Sequence, residues 1–390
     1  MLATVVEVVT ALLALAGVVY LMLALLGARD FNRTWRRRAG DPEFAPDVTI
    51  LKPVKGVDPR MFEGLESHCR LHYAGRFEIV FGVSSLDDAA VAEIERLKRE
   101  FPECAIRLVE CRERLGTSGK VSNLIQMLRE ASYDFVLIND SDIRVSPQYL
   151  ARVMAPFADE RVGMVTAPYR GMTAERGATL WAKLEALGIS TDFFPGVFVA
   201  RKLERGIRFG LGSTLAMRRE ALTKAGGLEP LVECLGDDYE MGARIARAGY
   251  KVELVPEVVE TTVPAYVFRG YVDHQLRWAR TVRDSRKAGY FGMAITYALP
   301  WAMMACVASG FALWSFTLLS VVALARVAVA LAVGVGILRD AQVLRDLWLV
   351  PLRDCFGLLF WAWSFAGDTI VWRGERFRLK DGRLSRVVQN

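Results

Sequence analysis

Asn139-Asp140-Ser141-Asp142 sets two carboxylates two positions apart, directly after the apolar run Phe135-Val136-Leu137-Ile138. Such a pair can share a hard cation. Mg2+ and Mn2+ prefer carboxylate oxygen and take substrate phosphates as further ligands. The alternative is an acidic turn that merely closes a strand. Gly236-Asp237-Asp238-Tyr239-Glu240 opens an expected helix that runs to Ala248 and stops at Gly249. An acidic residue there is either an N-cap or a general base that takes a proton from an attacking hydroxyl. His274-Gln275-Leu276-Arg277-Trp278 offers an arginine that can clamp a phosphate through two donors, beside an indole that can stack on a sugar or base. A basic amphipathic helix on a membrane surface is the competing reading.

Other positions carry weaker signals. Asp87 and Asp88 follow the run Phe77 to Val83 and can accept from a nucleobase or cap the next helix. Lys120, in Gly119-Lys120-Val121-Ser122-Asn123, can neutralise a phosphate. The Gly-Lys pair does not make a P-loop, because Arg114 stands where its first glycine is required. His68 and His72, four apart on an expected helix, lack the acidic or cysteine partners of a metal site. The six cysteines show no C-x-x-C pairing, so neither a disulfide framework nor a zinc site is expected. No G-x-S-x-G occurs, which removes the hydrolase elbow.

The elements that must position these residues can be read from the hydropathy pattern. Val48 to Leu51, Phe77 to Val83, Ile106 to Val109 and Phe135 to Ile138 are short apolar, β-branched runs. Helical stretches such as Asp88 to Glu100 and Lys120 to Ala131 separate them. That alternation predicts βαβ units in an α/β domain with a mainly parallel sheet. Ligands of such sheets bind beyond the carboxyl ends of the strands, where the polar residues above stand.

The 390 residues are 53% hydrophobic, and the excess is concentrated at the two ends of the chain. Leu2 to Leu26 is apolar apart from Glu7, long enough for a membrane-spanning helix within residues 1–28. The basic run Arg36-Arg37-Arg38 follows it, which is a stop-transfer pattern and predicts a cytosolic domain over 45–285. Met293 to Leu338 is interrupted only by Arg326 and predicts two spans within 290–340. Leu347 to Val371 carries Arg353, Asp354 and Asp368, so 345–372 is read as a span or as a re-entrant or interfacial segment. Residues 373–390 are expected to form a basic cytosolic tail. The net charge of +6 sits largely in clusters beside apolar stretches, which favours anionic lipid headgroups over nucleic acid.

In combination these motifs resemble the glycosyltransferases of the family 2 type. The likeness is closer to the ceramide glucosyltransferases of family 21 and the hopanoid-biosynthesis glycosyltransferases related to them. It is carried by Leu51-Lys52-Pro53-Val54-Lys55-Gly56-Val57-Asp58-Pro59, by Gly119 to Leu124, by Asp140-Ser141-Asp142-Ile143-Arg144-Val145, by Gly236 to Tyr239, and by Trp372 to Leu379. The resemblance implies a GT-A domain and inverting transfer of glucose or N-acetylglucosamine from a UDP-sugar to a lipid hydroxyl. It implies that Asp88 contacts the uracil and Lys120 the donor. Asp140 and Asp142 would hold Mg2+ or Mn2+ and the diphosphate, and Asp238 would be the base. Arg277 and Trp278 would complete a Q/R-x-x-R-W element, although His274 stands at its first position. Asp142, where ceramide enzymes often have glycine, points towards a hopanoid acceptor. The implied setting is the bacterial inner membrane. A polysaccharide synthase and a non-catalytic membrane protein with a degenerate nucleotide fold are the alternatives.

Overall fold

The computed structural model describes residues 2–37, 44–174, 177–372 and 375–386. The basic residues Arg38 and Arg373 invoked above lie outside them. The chain folds as two compact units, neither continuous in sequence. One comprises Met1–Arg37, Thr173–Arg205 and Val263–Arg376; the other comprises Arg38–Met172, Gly206–Thr262 and Phe377–Asn390. The stretch 45–285, read above as one domain, is therefore divided between them, and Arg277 and Trp278 belong to the first.

The second unit is built on a sheet. Its strands, in chain order, are β1 (Val48–Pro53), β2 (Phe77–Val83), β3 (Ile106–Glu110), β4 (Phe135–Ile138), β5 (Ile143–Arg144), β6 (Val162–Thr166), β7 (Tyr169–Met172), β8 (Leu215–Arg218), β9 (Lys251–Leu254) and β10 (Val259–Thr262). Seven of them form one sheet in the order β3-β2-β1-β4-β8-β6-β9. Helices cross over between β1, β2, β3 and β4, which pair in parallel, as right-handed βαβ units require. Strands β1, β2 and β4 are almost wholly buried, and β3, at the edge of the sheet, is half-buried. Strand β8 alone runs antiparallel, against both β4 and β6. Its register, Ile138 opposite Leu215, brings the turn before β8 beside the carboxyl end of β4. A second sheet, β5-β10-β7, extends the same unit.

The first unit is helical. The helix Leu2–Arg37 is longer than the apolar run that signals it. One side, with Ala14, Leu21, Ala24 and Phe31, is buried; Leu12, Leu15 and Val19 on the other stand exposed. Ala3–Trp35 and Leu313–Val335 are each long and apolar enough to cross a membrane. The helices Lys287–Thr296 and Ala298–Ala308 join at a 54° bend, as a broken span or a re-entrant loop would. The third apolar stretch contains the helix Val350–Ser364, whose 15 residues fall short of the ~20 a straight span needs. Asp354 is buried and pairs with buried Arg326 at 2.8 Å, and Arg353 pairs with Asp192 at 3.1 Å. Mutual neutralisation lets these residues enter an apolar setting.

Two further expectations change. The helix Met61–Cys69 ends before His72, which is exposed, so His68 and His72 do not share a helix face. The segment read as a basic tail is a β-hairpin over residues 377–386, with Phe377, Leu379 and Leu384 buried.

Candidate active site

Three loops at one end of the seven-stranded sheet bring the acidic motifs together. Asn139 to Asp142 leaves β4 at its carboxyl end. Gly212 to Thr214 enters β8 next to it, because β8 is antiparallel. The helix Asp237–Arg247 starts alongside. A Cβ on Gly212 would stand 3.2 Å from Asp238 Oδ2 and 3.6 Å from Asp140 Oδ2, so both carboxylates border the same glycine. Any side chain there would crowd them.

Lys120 sits among these acids. It occupies the first turn of the helix Gly119–Arg129, which Ser118 caps by accepting from Val121 N. Its Nζ lies 2.7 Å from Asp140 Oδ1 and 3.7 Å from Asp237 Oδ2. Burial alone would depress the ammonium, but Asp140 and Asp237 outweigh it and hold its pKa above the usual lysine range. Asp237 Oδ2 is a buried oxygen with no hydrogen-bond partner. Burial pushes the Asp237 carboxyl up, against the pull of Lys120.

Asp238 is held by backbone. Gly212 N–H donates to Oδ2 at 2.8 Å and Tyr239 N–H donates to Oδ1 at 2.7 Å. It does not cap its helix; the cap position is Gly236, with no side-chain bond. Burial, then the charge on Asp237, raises its pKa to about 6. That places the carboxyl just below neutrality, where a general base is effective.

Asp142 points to a different partner, the Thr261 hydroxyl, which donates to its Oδ2. Burial, then Asp140, pushes its pKa up. It lines a small crevice with Arg60, Glu63, Arg144 and Glu260. Among the described residues no three His, Cys, Asp or Glu side chains form a ready ligand set. Asp140 and Asp142 can supply only two carboxylates, the remaining ligands being left to diphosphate and water, as Mg2+ sites commonly arrange. The donor chemistry fits a hard divalent cation: oxygen only, with a local excess of negative charge and an orphaned carboxylate oxygen at Asp237.

Beneath the Asp140 loop lies a buried polar layer that sequence reasoning passed over. Lys52 is wholly buried; its Nζ donates to Asp140 O at 3.1 Å and faces His68 Nε2 at 3.4 Å. Burial lowers the Lys52 ammonium to about 7, against the pull of Asp142 and Asp140. His68 donates from Nδ1 to Gly64 O at 2.9 Å, and burial keeps its imidazole neutral, with a pKa of about 3. Asn139 Nδ2 donates to Ser213 O and to Tyr149 Oη, tying the loop after β4 to the turn before β8. Lys52 and His68 both lie in or beside motifs already noticed. A lysine at the end of a buried strand was the signal available.

Asp88 serves the scaffold: its Oδ1 accepts from Gly56 N at 2.8 Å and from Ala90 N at 2.9 Å, closing the turn into the helix Ala90–Glu100. In the helical unit, the helix Phe268–Ser285 carries Arg277 and Trp278. The Trp278 ring lies 5.7 Å from Phe193 and 5.5 Å from His274. His274 Nδ1 is 3.0 Å from buried Glu185, and Gln275 donates to the same carboxylate.

Known proteins resemble this chain. Residues 9–385 match the model of glycosyl transferase family 21. Ceramide glucosyltransferase 3 of Caenorhabditis elegans is 25% identical over 70% of this chain and 59% of its own length. An N-acetylglucosaminyltransferase of Bradyrhizobium diazoefficiens is 25% identical over 70% of this chain and 56% of its own length. The match thus spans little more than half of these relatives. A mannosyltransferase from Pyrobaculum calidifontis, solved with GDP-Man and Mn2+, superposes with a TM-score of 0.54 at 22% identity, covering 92% of this chain and 98% of the other. That likeness is one of fold, and the fold is GT-A. With nearly its whole length matched, the chain belongs to glycosyl transferase family 21.

Proposed function

We infer that this family member is an inverting hexosyltransferase, moving glucose or N-acetylglucosamine from a UDP-sugar to a hydroxyl of a membrane lipid. The observation that carries the reading is the acidic cluster around Lys120, with Asp140, Asp237 and Asp238 gathered at the carboxyl end of β4. The lipid acceptor is supported by the ceramide glucosyltransferase relatives and by the apolar helices. A hopanoid is the favoured acceptor and a ceramide the second, because Asp142 stands in the acidic motif. The proposed setting is the cytosolic face of a bacterial inner membrane.

Asp238 takes the proton from the lipid hydroxyl as its oxygen attacks the anomeric carbon. The bond from that carbon to the diphosphate oxygen breaks, its electron pair leaves with UDP, and one displacement inverts the centre. The backbone bonds from Gly212 and Tyr239 keep the Asp238 carboxylate oriented for that transfer. Lys120 offsets charge on the departing diphosphate. Asp140 and Asp142 would hold a divalent cation, which would supply further electrostatic stabilisation of that leaving group. For Asp88, Arg277 and Trp278 the proposed donor contacts rest on the family resemblance alone.

Membranes containing the protein, incubated with labelled UDP-glucose or UDP-N-acetylglucosamine, are expected to yield a lipid carrying one labelled sugar. Absence of labelled lipid with every UDP-sugar would overturn the reading. Products longer than one sugar would instead favour the polysaccharide synthase.

A further inference from the structure

The C-terminal hairpin is joined to the segment that presents Asp237 and Asp238. Its turn is Asp381-Gly382, with φ of 49° and 76°. Both values fit a two-residue type I′ turn, the form that Asp-Gly favours. Across the hairpin, Leu379 lies opposite Leu384. The Leu384 N–H points away from that partner and donates to Glu233 O at 2.7 Å, while Leu235 N–H donates to Gly382 O at 3.2 Å. Cys234 and Arg383 thus form an antiparallel bridge, which adds residues 233–235 to the hairpin as a short extra strand. Asp237 follows two residues later.

The opposite side of the same segment is held by the loop that leads into Lys120. Ser118 N donates to Val232 O at 2.7 Å, and Thr117 N donates to Glu233 Oε1 at 3.1 Å. Gly116 allows this approach; a Cβ there would stand 2.6 Å from Val232 Cβ. Residues 232–235 are therefore clamped between residues 116–118 and residues 382–384. The first contact sets the segment against Lys120. The second contact comes from the distant end of the chain.

We propose that the C-terminal hairpin is a positioning element for the reaction: it holds the Val232–Leu235 segment so that Asp237 and Asp238 stay in register with Lys120. Asp140 follows β4 and Lys120 stands on the helix Gly119–Arg129, whereas the hairpin's backbone bonds go to Glu233 and Leu235. Loosening the hairpin should then impair proton removal more than donor binding. This inference rests on the proposed role of Asp238.

Two variants of the full chain and one physical readout test it. Leu384→Pro removes the N–H that reaches Glu233 but none of the bonds within the hairpin. Leu379→Ala weakens the buried face and keeps every backbone bond. For Leu384→Pro, kcat should fall at least tenfold, with KM for the UDP-sugar and the affinity for UDP with Mn2+ changed less than threefold. Leu379→Ala should show the same split, more weakly. Hydrogen exchange should accelerate in peptides covering residues 231–240 and stay unchanged in β1 to β4. Unchanged exchange at 231–240 overturns the proposal whether or not the wild-type protein transfers sugar. A parallel loss of UDP binding and turnover also overturns it, since that is the signature of general destabilisation. Wild-type protein that transfers no sugar, yet shows the exchange effect, refutes the functional reading and leaves the clamp standing.

Discussion

The helical unit and the sheet unit treat buried charge in opposite ways. In the helical unit Arg326 meets Asp354 and Arg353 meets Asp192, one cation to one carboxylate. In the sheet unit Lys120 faces Asp140 and Asp237, Asp238 lies nearby, and Asp237 Oδ2 accepts no hydrogen bond. Pairing leaves the first arrangement balanced in charge, although Arg326 Nη1 and Arg353 Nε and Nη1 donate no hydrogen bond. The second holds more carboxylates than cations, and burial first, with neighbouring carboxylates after it, raises the pKa values of Asp142, Asp237 and Asp238. A ligand that brings positive charge, or a proton that must be taken up, lowers its free energy. Perturbed carboxylates gathered at one end of the sheet are where chemistry is to be sought.

The contrast can be broken at several points. Asp238→Asn should cost the most, about 10²–10⁴-fold in turnover, with UDP affinity preserved; steady-state kinetics beside calorimetry reads both. Asp354→Asn leaves Arg326 buried without its counter-charge and should cost about 3–5 kcal/mol of stability. Thermal unfolding in detergent measures it, and the pair Arg326→Met with Asp354→Leu should recover most of the loss. A small effect of Asp354→Asn would mean that the helical unit does not depend on its pairing. Lys120→Met should weaken UDP binding by roughly 10–100-fold, the worth of a hydrogen bond to a charged group.

The same Lys120 variant sharpens the pH dependence. A base works only when deprotonated, and Asp238 has its pKa raised to about 6. Turnover should therefore hold at neutral pH and fall about tenfold per unit below about 6. Lys120 pulls that pKa down, so its removal should shift the acid limb to higher pH. The smallest effect is expected at Gly212→Ala. The added methyl would stand 3.2 Å from Asp238 Oδ2, close enough to displace it by a few tenths of an ångström. A few-fold loss in kcat, with stability little changed, is the expected outcome.

The parallel half of the sheet was readable from the sequence because each strand is a short apolar run rich in β-branched residues and bounded by polar turns. Phe77 to Val83 and Phe135 to Ile138 were located to the residue. Strands β6, β8 and β9 were missed. They have only four or five residues, and β8 pairs with a strand some 80 positions earlier, which no local pattern encodes. Gly212 was invisible for the same reason: its importance comes from the antiparallel direction of β8. The motifs around Asp140 and Asp238 were legible because strand ends and helix starts concentrate polar residues. Lys52 was passed over because its burial depends on what packs above it. Asp381-Gly382 was a legible turn signal overlooked in a segment read for its charge. The pairing of Arg353 and Asp354 could not be read, since their partners lie at positions 192 and 326.

The central claim is that Asp140, Lys120 and Asp238 form one place where a nucleotide diphosphate is bound with a divalent cation. Calorimetric titration of the full-length protein with UDP, with and without Mn2+, tests it most directly when Asp140→Asn is run alongside. Binding should require Mn2+ in the wild type and fall at least tenfold in the variant. UDP affinity that ignores both the metal and the Asp140 substitution would contradict the account.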